Sequence, residues 1–146
     1  MKILVALDLS EPTELIVSKA EEIAKDMSAQ IWILHNAEPE PGVIEFRVDP
    51  QTARDSLAEK FHREHRQIQE IAKRLRDEGL DATALLVHGP TIETILKEAS
   101  DLEVDMIVVG SHGRSAVYQM LVGSVSEGIL RHSQCPVLVV PTRGKA

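Results

Sequence analysis

Short apolar runs alternate along the chain with longer segments in which apolar residues recur at helical spacing. The runs predict strands at 2–7, 30–36, 81–88, 105–110 and 136–140. The segments between them predict helices after residue 10, from about 50 to 77, at 91–100 and at 123–132. Apolar strands that alternate with helices are typical of a parallel sheet covered on both faces. Right-handed crossovers then give a doubly wound α/β fold.

Local signals mark the ends of the predicted helices. Ser10 is a suitable cap for the first helix, with Pro12 in its first turn, and Gly79 suits the position after the second helix. Residues 38–50, rich in proline near their start, break regular structure and form a candidate flap. The second helix has a predicted buried stripe of Leu57, Phe61, Ile68, Ile71, Ala72 and Leu75.

A glycine-punctuated segment joins the fourth predicted strand to the helix that follows it. It runs Gly110-Ser111-His112-Gly113, then nine residues, then Gly123-Ser124. Glycine allows positive φ and lets the backbone approach a ligand closely. Free N–H groups at the helix start, with the helix dipole behind them, favour phosphate. The segment therefore predicts a phosphate or nucleotide site, although turn glycines and a helix cap would explain the same residues without a ligand.

The formal net charge of −7 changes how such a phosphate would be held. An acidic surface repels nucleic acid and anionic lipid, so we predict neither as a partner and assign the phosphate to backbone amides.

The 146 residues predict a single domain, 1–146. One cysteine, Cys135, excludes an internal disulfide, and no apolar run reaches the roughly 18 residues of a membrane span. We therefore expect a cytoplasmic protein.

The glycine segment and its surroundings resemble the nucleotide loop of the universal stress protein family. The resemblance extends over nearly the whole chain, through segments 3–8, 33–35, 87–89 and 135–141 in the family's order. It implies the adenine nucleotide alpha hydrolase-like fold, with five strands in the order 3-2-1-4-5 and a switch point between strands 1 and 4, where ligands bind. It also implies ATP, alone or with Mg²⁺, as the ligand, and a homodimer formed through Val137–Val140.

The loop residues are expected to bind phosphate. The resemblance assigns backbone contacts to Gly113, Gly123, Ser124 and Val125. Ser124 also opens a Ser-x-x-Glu capping-box pattern, so its hydroxyl has an alternative use within the helix. Arg114 is the loop's only cation, and it either reaches a terminal phosphate or is a solvated surface arginine.

Three residues at or near strand ends complete the predicted site. Asp8 follows the first strand, where a carboxylate can hold ribose hydroxyls or a metal bound to phosphates, or can simply shape a turn. Asn36 stands where the family often has an aliphatic residue beside the adenine, and main-chain groups can still read the base. Ala6 replaces a proline found in some members. The whole predicted site comprises Ala6, Asp8, Asn36, Gly110, His112, Gly113, Arg114, Gly123, Ser124, Val125 and Ser126.

The motifs favour binding over catalysis. There is no GxxxxGK[ST] or GxGxxG motif, and no evident base or lysine clamp, so we predict a stress-response binding module rather than a fast ATPase. His35, His88 and His112 lie at or near strand ends, but no ligand spacing links them, and we predict that these histidines form no metal site.

Three alternatives stay open: a stress protein that acts through partners without nucleotide, a slow ATPase or kinase-like enzyme, and a flavodoxin-like electron carrier. The shortage of aromatic residues disfavours the last of these.

Overall fold

Five strands and four helices alternate along the part of the chain that this computed structural model describes, residues 1–9, 13–37, 50–111 and 123–142, the side chains of 50 and 53 excepted. The elements are β1 (Lys2–Leu7), α1 (Thr13–Met27), β2 (Gln30–Asn36), α2 (Pro50–Asp77), β3 (Asp81–Val87), α3 (Thr91–Asp101), β4 (Met106–Gly110), α4 (Ser124–His132) and β5 (Val137–Val140). The predicted alternation is confirmed, with every strand end within one residue of its predicted position.

The strands form one parallel sheet in the order β3-β2-β1-β4-β5, which confirms the order that the family resemblance implies. β1 lies in the middle, with Lys2 opposite Gln30 of β2 and Ile3 opposite Met106 of β4. The chain winds outward in one direction from β1 to β3 and in the other from β4 to β5. The carboxyl ends of β1 and β4 therefore meet at a topological switch point, the usual ligand-binding position in such sheets.

Two apolar layers cover the sheet. Alternate residues of β1 point to opposite faces, as the period of a strand requires. Val5 belongs to the layer formed with α1 and α2, where Val17 and Ile68 are fully buried. Leu4 belongs to the layer formed with α3 and α4, where Ile129 is fully buried. Both faces are covered, which explains why the strands are apolar almost throughout.

α2 is much longer than the strands it covers. Its 28 residues span about 42 Å, whereas the seven residues of β2 span about 23 Å. Near its end, Arg76 donates to the carbonyl of Ala82 at the start of β3, at 2.8 Å. Phe61 contacts His88, which follows β3, with 4.7 Å between ring centroids. The part of α2 before Phe61 therefore extends past the carboxyl edge of the sheet.

The predicted stripe of α2 is confirmed, with one residue that the apolar pattern did not include. Ile68, Ala72 and Leu75 are fully buried, and the other predicted members are partly buried. Glu64 is buried in the same stripe, only 5% exposed. Gly79 ends the helix with φ +92°, as predicted for the position after a helix. No helix in the described ranges combines the length and the apolar character needed to cross a membrane.

Candidate functional site

The carboxyl ends of β1 and β4 bring two predicted site residues to the same edge of the sheet. Asp8 directly follows β1, and Gly110 is the last residue of β4. Val5 and Val108 are paired partners in these strands, so the two strand ends lie side by side. Ala6, also in β1, packs against the layer formed with α3 and α4.

The backbone turns sharply just past Asp8. Leu9 has φ +61°, in the left-handed region that a leucine seldom adopts. A non-glycine residue there costs about 1–2 kcal/mol. Such conformations persist only where the surrounding structure holds them, and they cluster at functional sites. The end of β1 is therefore held in a specific shape.

The N-terminus of α4 offers unpaired backbone donors. Gly123 is the N-cap residue, and the first bond within the helix runs from Glu127 N to Gly123 O, at 2.9 Å. The N–H groups of Ser124, Val125 and Ser126 therefore have no acceptor within the helix. Ser124 and Val125 are exposed. Together with the helix dipole, these donors favour an anion.

Two hydrogen bonds hold this helix end against β4. The Ser126 hydroxyl donates to the carbonyl of Gly110, and Gly123 N donates to the carbonyl of Ser111 at 2.5 Å. Two residues of the predicted site, Ser126 and Gly123, thus already use these groups within the protein. Ser124 and Val125, both exposed residues, keep N–H groups without an acceptor within the helix.

The capping-box alternative for Ser124 is wrong. Gly123 occupies the N-cap position, and this glycine has no side chain with which to make a capping hydrogen bond. Ser124 is instead the first residue of the helix, one position too late for the motif. Glu127 forms an ion pair with Arg131 one turn further along, at 2.7 Å.

The glycines at the two ends of the loop serve different physical needs. A Cβ on Gly110 would lie 2.7 Å from Ile16 Cδ1 and 2.9 Å from Thr142 Cγ2, so any side chain here would have to displace one or both of these neighbours. Gly123 has φ −67° and ψ 160°, which any residue can adopt. A conformational requirement therefore does not explain the glycine at 123.

Asn36 supports a neighbouring turn. Its Nδ2 donates to the carbonyl of Gly89 at 2.8 Å and to Thr91 Oγ1 at 3.1 Å. Gly89 has φ +139°, and a Cβ there would lie 2.6 Å from Thr94 Oγ1. Asn36 thus ties the turn between β3 and α3 to the end of β2, one strand away from the β1–β4 crevice.

The histidines at strand ends have separate surroundings. His35 Nδ1 lies 2.8 Å from the carbonyl of Leu7, and its Nε2 is hydrogen-bonded to Glu64 Oε2. His88 is exposed, 3.3 Å from the carbonyl of Ala37. Within the ranges that the structure describes, no three histidine, cysteine, aspartate or glutamate residues are grouped to hold a metal ion. The sequence pattern did not predict the contact between His35 and Glu64. One feature of the sequence could have suggested it: Glu64 is a charged residue at a position of the buried stripe of α2.

Three predicted site residues, His112, Gly113 and Arg114, lie outside the described residues, as do Ser10, Pro12 and residues 38–49 of the predicted flap.

The fold and the site define a doubly wound α/β protein in which the N-terminus of a helix lies at the switch point of the sheet. Residues 1–141 match the universal stress protein family, and the chain belongs to that family. The universal stress protein YxiE of Bacillus subtilis is 31% identical over 147 residues, covering 95% of this chain and 97% of the relative. The solved structure of MJ0577, a universal stress protein of Methanocaldococcus jannaschii, has a TM-score of 0.82 at 30% identity, covering 99% of this chain and 97% of that one.

Two more distant universal stress proteins with this fold were solved with nucleotides. One, in complex with cAMP, has a TM-score of 0.67 at 23% identity, and the alignment covers 98% of each chain. The other, from Archaeoglobus fulgidus in complex with dAMP, has a TM-score of 0.62 at 19% identity, covering 96% of this chain and 97% of that one. At these identities the likeness shows the fold alone.

Proposed function

We propose that this chain binds an adenine nucleotide, with ATP as the ligand, and acts as a stress-response binding module. The observation that carries the proposal is the start of α4, where Ser124 and Val125 are exposed and their N–H groups lack helical acceptors. This helix end is fixed to the last residue of β4, beside the end of β1. A phosphate bound there would receive both the N–H hydrogen bonds and the helix dipole.

The charge of the molecule makes local donors necessary. With a net charge of −7, the protein offers no general attraction for a polyanion, so the phosphates must be bound by the amides they contact. The cAMP and dAMP complexes of the two more distant proteins support the proposal, because both ligands contain adenine and phosphate.

The remaining candidate residues take the roles that their positions suit. Asp8 would hold the ribose hydroxyls, or Mg²⁺ on the phosphates, from the end of β1. Gly113 and Arg114 would contact phosphates from the loop. Ala6 and Asn36 would lie beside the base, with Asn36 shaping the pocket through the turn that it supports.

We propose a binding role rather than fast catalysis. The start of α4 provides donors for phosphate charge, and the sequence contains no GxxxxGK[ST] motif that would supply a P-loop lysine.

We also propose that the protein is a homodimer paired through β5. β5 lies at one edge of the sheet, and Val137, Leu138 and Val139 are partly exposed. An uncovered apolar edge strand invites aggregation, and pairing with the same strand of a second copy removes that edge.

Native mass spectrometry of the purified protein and calorimetry with ATP, ADP, AMP and cAMP test nucleotide binding. Because the backbone at Gly123 suits any residue, Gly123→Ala and Gly123→Val should both fold, as circular dichroism would confirm. We expect the bulkier Gly123→Val to weaken ATP binding at least tenfold, about 1.4 kcal/mol, and Gly123→Ala to weaken it less. A wild-type protein that neither co-purifies with a nucleotide nor binds millimolar adenylates contradicts the proposal. Unchanged affinity in Gly123→Val contradicts the placement of the site.

A further inference from the structure

Two ionisable side chains are buried together next to the proposed site, and nucleotide binding as proposed above uses neither. His35 and Glu64 are each 5% exposed, and they are hydrogen-bonded to one another. Lys60 Nζ lies 3.7 Å from the other carboxylate oxygen of Glu64. Burying such a pair in an apolar core usually gains little stability over apolar residues of the same size. The pair is therefore weak evidence for a purely stabilising role.

The ring of His35 is held at both nitrogens. A carbonyl oxygen can only accept, so Nδ1 carries a hydrogen and donates it to Leu7 O, 2.8 Å away. The contact between Nε2 and Glu64 also requires a hydrogen between the two atoms. The imidazole thus connects α2 with the end of β1. Carboxylates orient functional histidines in the same way in metal sites, by bonding the second ring nitrogen.

The atom that His35 contacts belongs to the peptide that leads into the proposed site. Leu7 O and Asp8 N–H are parts of one planar peptide unit, so a bond that fixes the carbonyl also fixes the direction of the N–H. The next residue but one, Leu9, has φ +61°. A buried hydrogen bond is therefore placed just before a conformation that the surrounding structure must hold.

We propose that His35 is a positioning residue for the nucleotide site. Glu64 fixes the imidazole ring, and the Nδ1–H of His35 fixes the Leu7–Asp8 peptide, so that Asp8 faces the ligand in one orientation. The inference rests on the proposed nucleotide binding. It adds a hydrogen-bonded connection, from Glu64 of α2 through His35 to Leu7 of β1, by which α2 controls the geometry of that site.

Two amide variants separate the two contacts of the ring. The amide nitrogen of asparagine is as many bonds from the backbone as Nδ1, and that of glutamine as many as Nε2. His35→Asn therefore keeps a donor for Leu7 O and loses Glu64, whereas His35→Gln keeps Glu64 and loses Leu7. We expect His35→Asn to bind ATP within about threefold of wild type and His35→Gln to bind it about tenfold more weakly, roughly 1.4 kcal/mol.

A spectroscopic measurement separates positioning from general stabilisation. A hydrogen bond to Leu7 O polarises the peptide, so the ¹⁵N resonance of the Asp8 amide should move in His35→Gln and return towards its wild-type position in His35→Asn. Both variants should lower the urea midpoint, because each leaves one buried polar group without its partner. A purely structural role would give that loss of stability without the difference in affinity.

A second pair of variants keeps the test decisive if His35→Gln does not fold. Glu64→Gln still offers a hydrogen-bonding group to Nε2 and should retain ATP affinity, whereas Glu64→Ala frees the ring and should weaken binding. Two results would overturn the inference. One is equal ATP affinity of the two His35 variants, or of the two Glu64 variants, when both are folded; the other is an Asp8 ¹⁵N resonance that does not shift in either His35 variant. Failure of the wild-type protein to bind any adenylate would instead refute the proposed function, and the Asp8 resonance would still report whether His35 positions the peptide.

Discussion

Ser124 and Ser126 lie in the same turn of α4, but their hydroxyls have different surroundings. Ser126 is buried and donates to Gly110 O, whereas Ser124 is exposed and makes no capping bond. Ser126→Ala should therefore lower the free energy of unfolding by about 1 kcal/mol, the usual value of such a bond. Ser124→Ala, the matched control, should change it by less than about 0.5 kcal/mol. Urea denaturation measures both, and equal effects would show that the Ser126 bond does not fix α4 to β4.

Gly110 is a second test at this scale. Gly110→Ala places a methyl group 2.7 Å from Ile16 Cδ1, so we expect a loss of about 1–3 kcal/mol from overpacking. Ile16→Val removes that Cδ1 atom and should recover part of the loss in the double variant. The recovery is partial because Thr142 Cγ2, at 2.9 Å, stays in place. Additive effects of the two substitutions in urea denaturation would rule out the proposed steric contact.

The sequence identified candidate residues at this scale but not the atoms they use. It placed Gly110, Ser124 and Ser126 near a helix start, and the structure does bring them there. It could not show that the Ser126 hydroxyl is engaged by Gly110 O, or that Gly110 lies close to Ile16. Such contacts depend on distances between elements that are remote in sequence, which local patterns do not contain.

At the scale of elements, α4 packs closely on α3 because it has a glycine where the helices meet. A Cβ on Gly128 would overlap Ile92 Cδ1, and it would lie 3.0 Å from Cγ1 and 3.4 Å from Cγ2 of the same side chain. Since Cγ1 is also closer than an ordinary van der Waals contact, rotation of the terminal methyl alone does not fully relieve the overlap. Glycine within a helix costs about 1 kcal/mol relative to alanine, and at position 128 the close packing of α4 on α3 offsets that cost.

Gly128→Ala therefore sets two effects against each other. Better helix propensity adds about 1 kcal/mol, but overpacking against Ile92 costs about 1–3 kcal/mol, so we expect a net loss of stability. In an Ile92→Ala background the clash is gone, and the same substitution should stabilise the protein. A change of sign between the two backgrounds, measured by urea denaturation, confirms the packing; the same sign in both contradicts it.

α2 shows why periodicity predicts an element better than its contacts. Apolar spacing placed the helix at its observed bounds and gave its buried stripe. Glu64 occupies a position of that stripe, but a lone glutamate within a charged helix is usually solvated. Only the position of His35 on β2 shows that this carboxylate is buried and partnered.

At the scale of the whole molecule, the two edges of the sheet give a matched test of the dimer. Val139→Lys places a charge on β5, the proposed interface strand, and should yield a monomer in analytical ultracentrifugation. Because Val139 also packs against the layer formed with α3 and α4, circular dichroism must show that the variant is folded. Thr83→Lys places the same charge on β3 at the opposite edge, where Thr83 is exposed, and should leave the dimer intact. A dimer that survives Val139→Lys places the interface elsewhere.

Strand order is the part of the architecture that periodicity alone could not give. The alternation of strands and helices predicts a doubly wound sheet, but several strand orders satisfy it. The order 3-2-1-4-5 came from the family resemblance, carried by residues such as Gly113 and Gly123 that specify the site rather than the sheet. Neighbouring strands are chosen by packing over the entire chain, which a local window does not include.

The central position of β1 has a consequence for synthesis. Lys2 N donates to Asp105 Oδ2, and Asp105 N donates to Lys2 O, each at 2.8 Å, although the two residues are 103 positions apart. At about 5–20 residues per second, a ribosome needs roughly 5–20 seconds to make the chain between them. Throughout that interval the β4 side of β1 has no neighbouring strand, so the apolar centre of the sheet cannot be completed until Asp105 and β4 have been synthesised.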